Sequence, residues 1–138
     1  NARYEQAKTL HALGAVVQEQ RKYAESERYY KEALAIYVEY NDRFWQAGAL
    51  HQLGSLAEDQ QQWDEAQAYT LEAAAIFVEF GDQYSLAIVL RLLGRIWRAT
   101  KDRGLVEKVA ALLNSSAAEC EALLGEAAGA SESGDGEE

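Results

Sequence analysis

The chain predicts an all-α fold, a solenoid of antiparallel helix pairs, and three observations carry that prediction. The sequence repeats: His11-Ala12-Leu13-Gly14 returns as His51-Gln52-Leu53-Gly54 and again as Arg91-Leu92-Leu93-Gly94, forty residues apart each time. Residues 1–40 and 41–80 are identical at 17 of 40 positions, among them Asn1/Asn41, Arg3/Arg43, Leu10/Leu50, Tyr29/Tyr69, Ala33/Ala73 and Ile36/Ile76. Apolar residues also recur at three- and four-residue intervals in a chain without proline, the pattern of long amphipathic helices. A fixed period of this length marks stacked helical units, each unable to bury its apolar face alone.

The first helix is predicted over about 3–20, burying Ala7, Leu10, Leu13, Gly14 and Val17. After the polar break Arg21-Lys22-Tyr23, a second helix runs over about 24–40 and buries Tyr29, Tyr30, Ala33, Leu34, Ile36 and Tyr37. Asn41-Asp42 closes it, since Asn tolerates a left-handed turn and Asp can cap the next helix. The second unit repeats the plan: a helix over about 43–60, a break at Gln61-Gln62-Trp63, Asp64 as N-cap, and a helix over about 65–80 ended by Gly81-Asp82. The third unit opens with a helix over about 83–100 carrying Leu86, Val89, Leu90, Leu93, Gly94 and Trp97.

Beyond Lys101-Asp102 the pattern changes. Leu105, Val109, Leu112, Leu113, Cys120, Leu123 and Leu124 keep helical spacing, but the aromatic positions are gone. One or two C-terminal capping helices are predicted over 103–124, with a break near Asn114-Ser115-Ser116, because a terminal repeat meets water on its outer face. Residues 125–138 are Gly, Ala, Ser, Asp and Glu only. That composition cannot offset an ordering entropy of roughly 1–2 kcal/mol per residue, so a disordered acidic tail is predicted there. The organisation is thus one repeat domain over 1–124, in units of about 1–40, 41–80 and 81–113 with a cap to 124. Asn1 falls at the same repeat junction as Asn41, as expected of a piece from a longer chain. Gly14, Gly54 and Gly94 each cost about 1 kcal/mol against alanine inside a helix, which predicts close helix approach at that point.

Composition excludes several functions. A formal charge of −10 argues against general nucleic-acid binding. No apolar run is long enough to span a membrane, and no secretory leader opens the chain. The single cysteine, Cys120, has no disulfide partner within the chain, which favours a reducing, cytoplasmic setting. No phosphate loop, nucleophile motif or acid–base pair is present, so no enzyme and no cofactor is expected. His11 and His51 recur at one repeat position, but no Cys accompanies them at ligand spacing, and successive helices lie roughly 10 Å apart. They are expected to line a groove or pack rather than hold a metal.

Helix pairs with Leu-Gly in the first helix and Ser26, Tyr30, Ala33 or Ala66, Thr70, Ala73 in the second resemble the tetratricopeptide repeat. In the third unit Val106, Ala110 and Leu113 match that pattern weakly. Leu10, Leu50 and Leu90 stand at the family's tryptophan position, and its closing proline is missing. The long repeat looks like the variant found in kinesin light chains and bacterial signalling ATPases. The resemblance covers about 1–113 and implies a right-handed α-solenoid whose concave groove holds a peptide or protein segment. It further implies that Lys8, His11, Ala15, Gln18 and Glu19 line that groove, followed by Gly48, His51, Ser55, Glu58 and Asp59, and then by Ile88, Arg91, Arg95 and Arg98. Resemblance to the chaperone-binding subset fails, because its clamp positions hold His11, Ala15, Gln52, Ile88 and Leu92.

Charge refines the expected ligand. Arg91, Arg95 and Arg98 share one helix face and could take carboxylates bidentately. Phe44 to Leu90 contains seven acids and no Lys or Arg, whereas 91–108 holds six basic residues and two acids. A ligand matching that field is basic at one end and acidic at the other. The competing expectation is that the arginines pair with Glu58 and Asp59 and only solubilise the surface. Tyr29, Tyr30, Tyr37, Trp45, Trp63 and Trp97 are expected to pack. The leading reading is a non-catalytic interaction module; the alternative is a self-associating or autoregulatory element. In that alternative, exposed ends pair into a homodimer (Tyr4, Leu10 and Val17 at the N-terminal end) or the acidic tail occupies the chain's own arginines.

Overall fold

The computed structural model describes residues 1–134, so the last four residues of the expected acidic tail lie outside the described residues. Among the described residues there are seven helices and no strand: α1 (Ala2–Glu19), α2 (Tyr23–Glu39), α3 (Arg43–Asp59), α4 (Trp63–Phe80), α5 (Gln83–Thr100), α6 (Arg103–Leu113) and α7 (Ala117–Gly134). The fold class is all-α, with consecutive helices packed as in an α-solenoid. The chain forms two compact units, Asn1–Ile76 and Phe77–Glu138.

The joints between helices follow a rule the sequence only half displays. Left-handed φ occurs at Arg21, Asn41, Gln61, Gly81 and Lys101, twenty residues apart each time. At the first four, the following amide reaches back five residues, Lys22 to Val17, Asp42 to Tyr37, Gln62 to Ala57 and Asp82 to Phe77, while the left-handed residue's own N–H takes a second carbonyl. This satisfies carbonyls that a helix C-terminus otherwise leaves open. Asp42 and Asp82 then cap the next helix by accepting from the Trp45 and Ser85 amides at 3.1 and 3.0 Å. Asp64 is no such cap: α4 begins at Trp63, which places Asp64 in the first turn, where its charge still suits the helix dipole.

In the first unit α1 and α2 lie antiparallel. Ala7 and Leu10 meet Ala33, Ile36 and Tyr37, with Ala49 of α3 completing the cluster. Tyr30, Leu53 and Leu56 form a second cluster, flanked by Tyr23, Leu34 and Tyr69, and so pack α3 against α2. The expected close approach is present: a Cβ on Gly14 would lie 2.6 Å from the Tyr30 ring, and the Ser26 hydroxyl donates to the Gly14 carbonyl at 2.8 Å. Gly54 stands in the same way over Ala66 and Thr70. Leu13 departs from expectation, being 41% exposed rather than buried. The sequence pattern marks it apolar, but among the described residues no helix packs over its side of α1.

The second unit breaks the pairing rule. A Cβ on Gly94 would lie 2.5 Å from the Leu124 carbonyl and 2.9 Å from the Ala128 amide, so the helix closing on α5 is α7. The weak pattern at Val106, Ala110 and Leu113 therefore does not form the third glycine contact. Instead α6 is an extra element, buried through Leu105, Val106 and Val109 and tied to α7 by an Arg103–Glu121 ion pair at 2.6 Å. The expected break at 114–116 is there: Asn114 turns left-handed and the Ser116 hydroxyl accepts from the Glu119 amide. The chain does not lose structure at Gly125, however. α7 continues to Gly134, because Leu124 and Ala128 are buried where α7 closes on Gly94 of α5.

Candidate functional site

Two of the expected groove rows come together in the first unit, where α1 lies beside α3. The Gln18 amide donates to the Asp59 carboxylate at 2.8 Å and to the Ser55 hydroxyl at 3.4 Å. From beneath, the Tyr30 hydroxyl donates to the Gln18 carbonyl oxygen at 2.8 Å, and more weakly toward Gln52 at 3.4 Å. Its phenol is pushed up to about 12, chiefly by burial and then by the charges of Asp59 and Glu19, so it remains a donor. The result is a fixed polar row of amide, hydroxyl and carboxylate groups across α1 and α3, with exposed Glu19 beside it.

An aromatic patch adjoins that row. His11 is half-buried, edge-on to Tyr30 at 5.7 Å and to Trp45 at 6.1 Å. Gly48 faces this corner, where a Cβ would make an ordinary contact with the His11 ring at 3.9 Å. Burial lowers the His11 pKa, and its Nδ1 is enclosed without a hydrogen bond, so the ring is a neutral packing group. Trp45 stacks on buried Tyr37 at 5.9 Å and 25°, yet is itself 38% exposed. Tyr4 donates to Asp42, which together with burial pushes its phenol up to about 12, and the Lys8 ammonium sits 5.4 Å over the Tyr4 ring.

His51 and Glu58 are half-buried on α3 and already engaged with neighbouring groups. Arg91, Arg95 and Arg98 stand on α5 in the second unit; Arg91 and Arg98 are exposed, Arg95 is half-buried, and Arg95 and Arg98 are already engaged. Among the described residues no group of three His, Cys, Asp or Glu side chains could hold a metal ion, and no helix is long and apolar enough to cross a membrane.

Sequence reasoning took Trp45 for a packing residue and missed its exposed edge. The signal was available: the same repeat position holds Glu5 in the first unit and Ser85 in the third, so no repeat-wide packing rule asks for an aromatic there. In the sequence, Gln52 marks only a clamp position that does not match. Its part in the row depends on the reach of Tyr30 across two helices, which no spacing rule reports.

A family model, the tetratricopeptide repeat, matches residues 6–41, which is α1, α2 and the joint that follows them. Repeats of this family are generally non-catalytic protein–protein interaction modules. No curated protein and no solved structure is a significant match to the chain.

Proposed function

We propose that this tetratricopeptide-repeat chain is a non-catalytic interaction module that holds a peptide or protein segment against the α1/α3 face. The observation carrying the reading is the fixed Gln18–Asp59–Ser55–Tyr30 row beside half-exposed Trp45. Ordered polar groups next to an exposed aromatic edge suit a segment with one apolar and one polar or basic side chain, since preorganisation lowers the ordering cost of binding. Lys8, His11, Gln18, Glu19, Ser55 and Asp59 belong to that face in this reading. His51 and Glu58 of α3 would add to the contact within the same unit, and Arg91, Arg95 and Arg98 of α5 are a separate candidate contact for acidic groups. Buried Cys120 fits a reducing, cytoplasmic setting. The alternative in which an acidic tail reaches the arginines is less favoured, because the chain through Gly134 is committed to α7.

Peptide-array capture with the wild-type chain, Trp45→Ala, Asp59→Lys and Arg91→Glu/Arg95→Glu/Arg98→Glu tests this. The reading expects peptides with paired aromatic and basic residues to be lost with the first two variants at unchanged helicity. If all peptides are retained by both and lost only with the arginine variant, the site lies on α5 and the α1/α3 reading is wrong.

A further inference from the structure

The polar row has a length and a polarity. Trp45, Gly48, Gln52, Ser55 and Asp59 follow one another on α3 at intervals of three and four residues, so they form one stripe along the helix. α1 meets that stripe at both ends: His11 lies edge-on to Trp45, and Gln18 bonds Ser55 and Asp59. Trp45 and Asp59 are fourteen residues apart, which is about 21 Å at 1.5 Å per residue. The middle of the stripe is neutral. Gln52 accepts weakly from Tyr30, and the Ser55 hydroxyl accepts from Gln18 while keeping its own hydrogen to donate. The Asp59 end is negative: Glu19 and Asp59 are exposed there, with half-buried Glu58 on the same turn. The last turns of α1 and α3 carry no basic residue, and two helix dipoles end at them. Arg21 and Lys22 follow, both exposed, only in the joint that leads to α2. At the Trp45 end the charges are mixed, with Lys8 standing among Glu5 and Asp42.

Taking the α1/α3 face as the binding site, on which this step rests, we propose that its occupant is an extended segment with an aromatic residue against Trp45 and an arginine six residues away at Asp59. An extended chain rises about 3.3 Å per residue, so the span from Trp45 to Asp59 takes about six residues. Side chains of an extended chain alternate in direction. Residues six apart therefore point to the same side and reach both ends of the stripe, whereas five or seven turns one of them away. The amide and hydroxyl groups between the ends suit an extended backbone, whose N–H and C=O groups arrive unpaired. A helix arrives with those groups already bonded and gains nothing from them. Arginine fits the negative end, because Gln18 bonds Oδ2 of Asp59 and Oδ1 is available to a guanidinium, with Glu19 beside it. Charge complementarity thus selects a basic residue at one end, and ring contact selects an aromatic at the other.

The test is a series of labelled synthetic peptides, each with one phenylalanine and one arginine in a serine–threonine background, at separations from four to eight residues and at fourteen. Each is titrated into the whole chain and followed by fluorescence anisotropy. Binding about tenfold tighter at six than at five or seven is expected, the worth of one charge-assisted hydrogen bond. Trp45→Ala should weaken the six-spaced peptide, and Asp59→Lys should reject it at unchanged helicity. The same peptide with glutamate in place of arginine should bind Asp59→Lys better than the wild-type chain. If both variants lose binding but fourteen is the preferred separation, or no separation is preferred, the α1/α3 site stands and the extended register is wrong. If neither variant changes the affinity, or no peptide binds at millimolar concentration, the site itself fails and the register fails with it.

Discussion

The first helix of each unit meets its glycine contact in a different way. In the first unit Gly14 is closed by Ser26 and Tyr30 on the very next helix, across a three-residue joint. In the second unit Gly94 is closed by Leu124 and Ala128 on α7, after all of α6 has intervened. The requirement is the same in kind, a second helix closing on a residue without a Cβ, although the sequence distance differs. What the fold retains is therefore the packing requirement of the glycine and not the spacing of the element that meets it. The difference also changes the contact: an aromatic side chain fills the space over Gly14, whereas bare backbone fills it over Gly94.

The largest expected effect comes from ending the chain at Leu124, where composition alone would place the boundary. This removes Ala128 and the last turns of α7 from α5, and should cost about 3 kcal/mol in thermal or urea unfolding, on the scale of stripping a packed apolar face. Removal of 135–138 provides the control. Next are the glycines. Gly94→Ala must push two backbones apart, an over-packing cost at the upper end of about 1–3 kcal/mol against a helix-propensity gain of about 1, so a net loss of up to about 2 kcal/mol is expected. Gly14→Ala presses on the wedged Tyr30 ring and should lose about 1 kcal/mol, and Gly54→Ala, which must turn the buried Thr70 hydroxyl off the Ala66 carbonyl, should lose about as much. If Gly94→Ala costs no more than the other two in denaturant titration, the contrast between side chain and backbone is wrong.

Tyr30→Phe keeps the ring over Gly14 but removes the hydroxyl that holds Gln18, and should cost about 1 kcal/mol, read from urea midpoints. In Tyr30→Phe the Gln18 amide resonances should also broaden if the polar row depends on that bond. pH separates the units further, since both histidines lie in the first. Burial lowers the folded pKa of His11 below its ordinary 6.5, so between the two values the unfolded chain binds more protons. Stability should be fully present above about pH 6.5 and decline as pH falls through the lowered value. His11→Phe should flatten that decline in a pH series of melts. The smallest effects belong to the joints. Gln61→Gly and Lys101→Gly relieve left-handed φ at non-glycine residues and should each stabilise by roughly 0.5–1 kcal/mol, whereas glycine already holds position 81.

The period, the helix positions and the close approach at Gly14, Gly54 and Gly94 were all legible, because each is a local pattern repeated at a fixed interval. Asn41 and Gly81 announced their joints chemically; Arg21, Gln61 and Lys101 did not, since their left-handed turns are held by the amides on either side. The end of α7 was not legible, because small residues look like linker until something packs on them, and only the position of Gly94 says that something does. Leu13 and Leu53 are the same residue at the same repeat position. One is exposed and the other buried, a difference that lies wholly in the neighbouring helix. Within the candidate site, Gln18, Ser55 and Asp59 could be placed on one face from spacing, but the hydroxyl of Tyr30 that ties them together rises from the core of another helix.

The twenty-residue cadence of left-handed joints has a bearing on how such a chain can change length. Where both amides after a helix are already committed to its last carbonyls, a joint holds no slack, and one inserted residue would leave a carbonyl bare and rotate everything downstream. Whole elements enter more easily. α6 is such an addition, an eleven-residue helix set between left-handed Lys101 and Asn114, each with its backbone bond made. Length variation in this chain is therefore quantised by the helix, and duplications or losses that respect the joints would leave each remaining turn chemically complete.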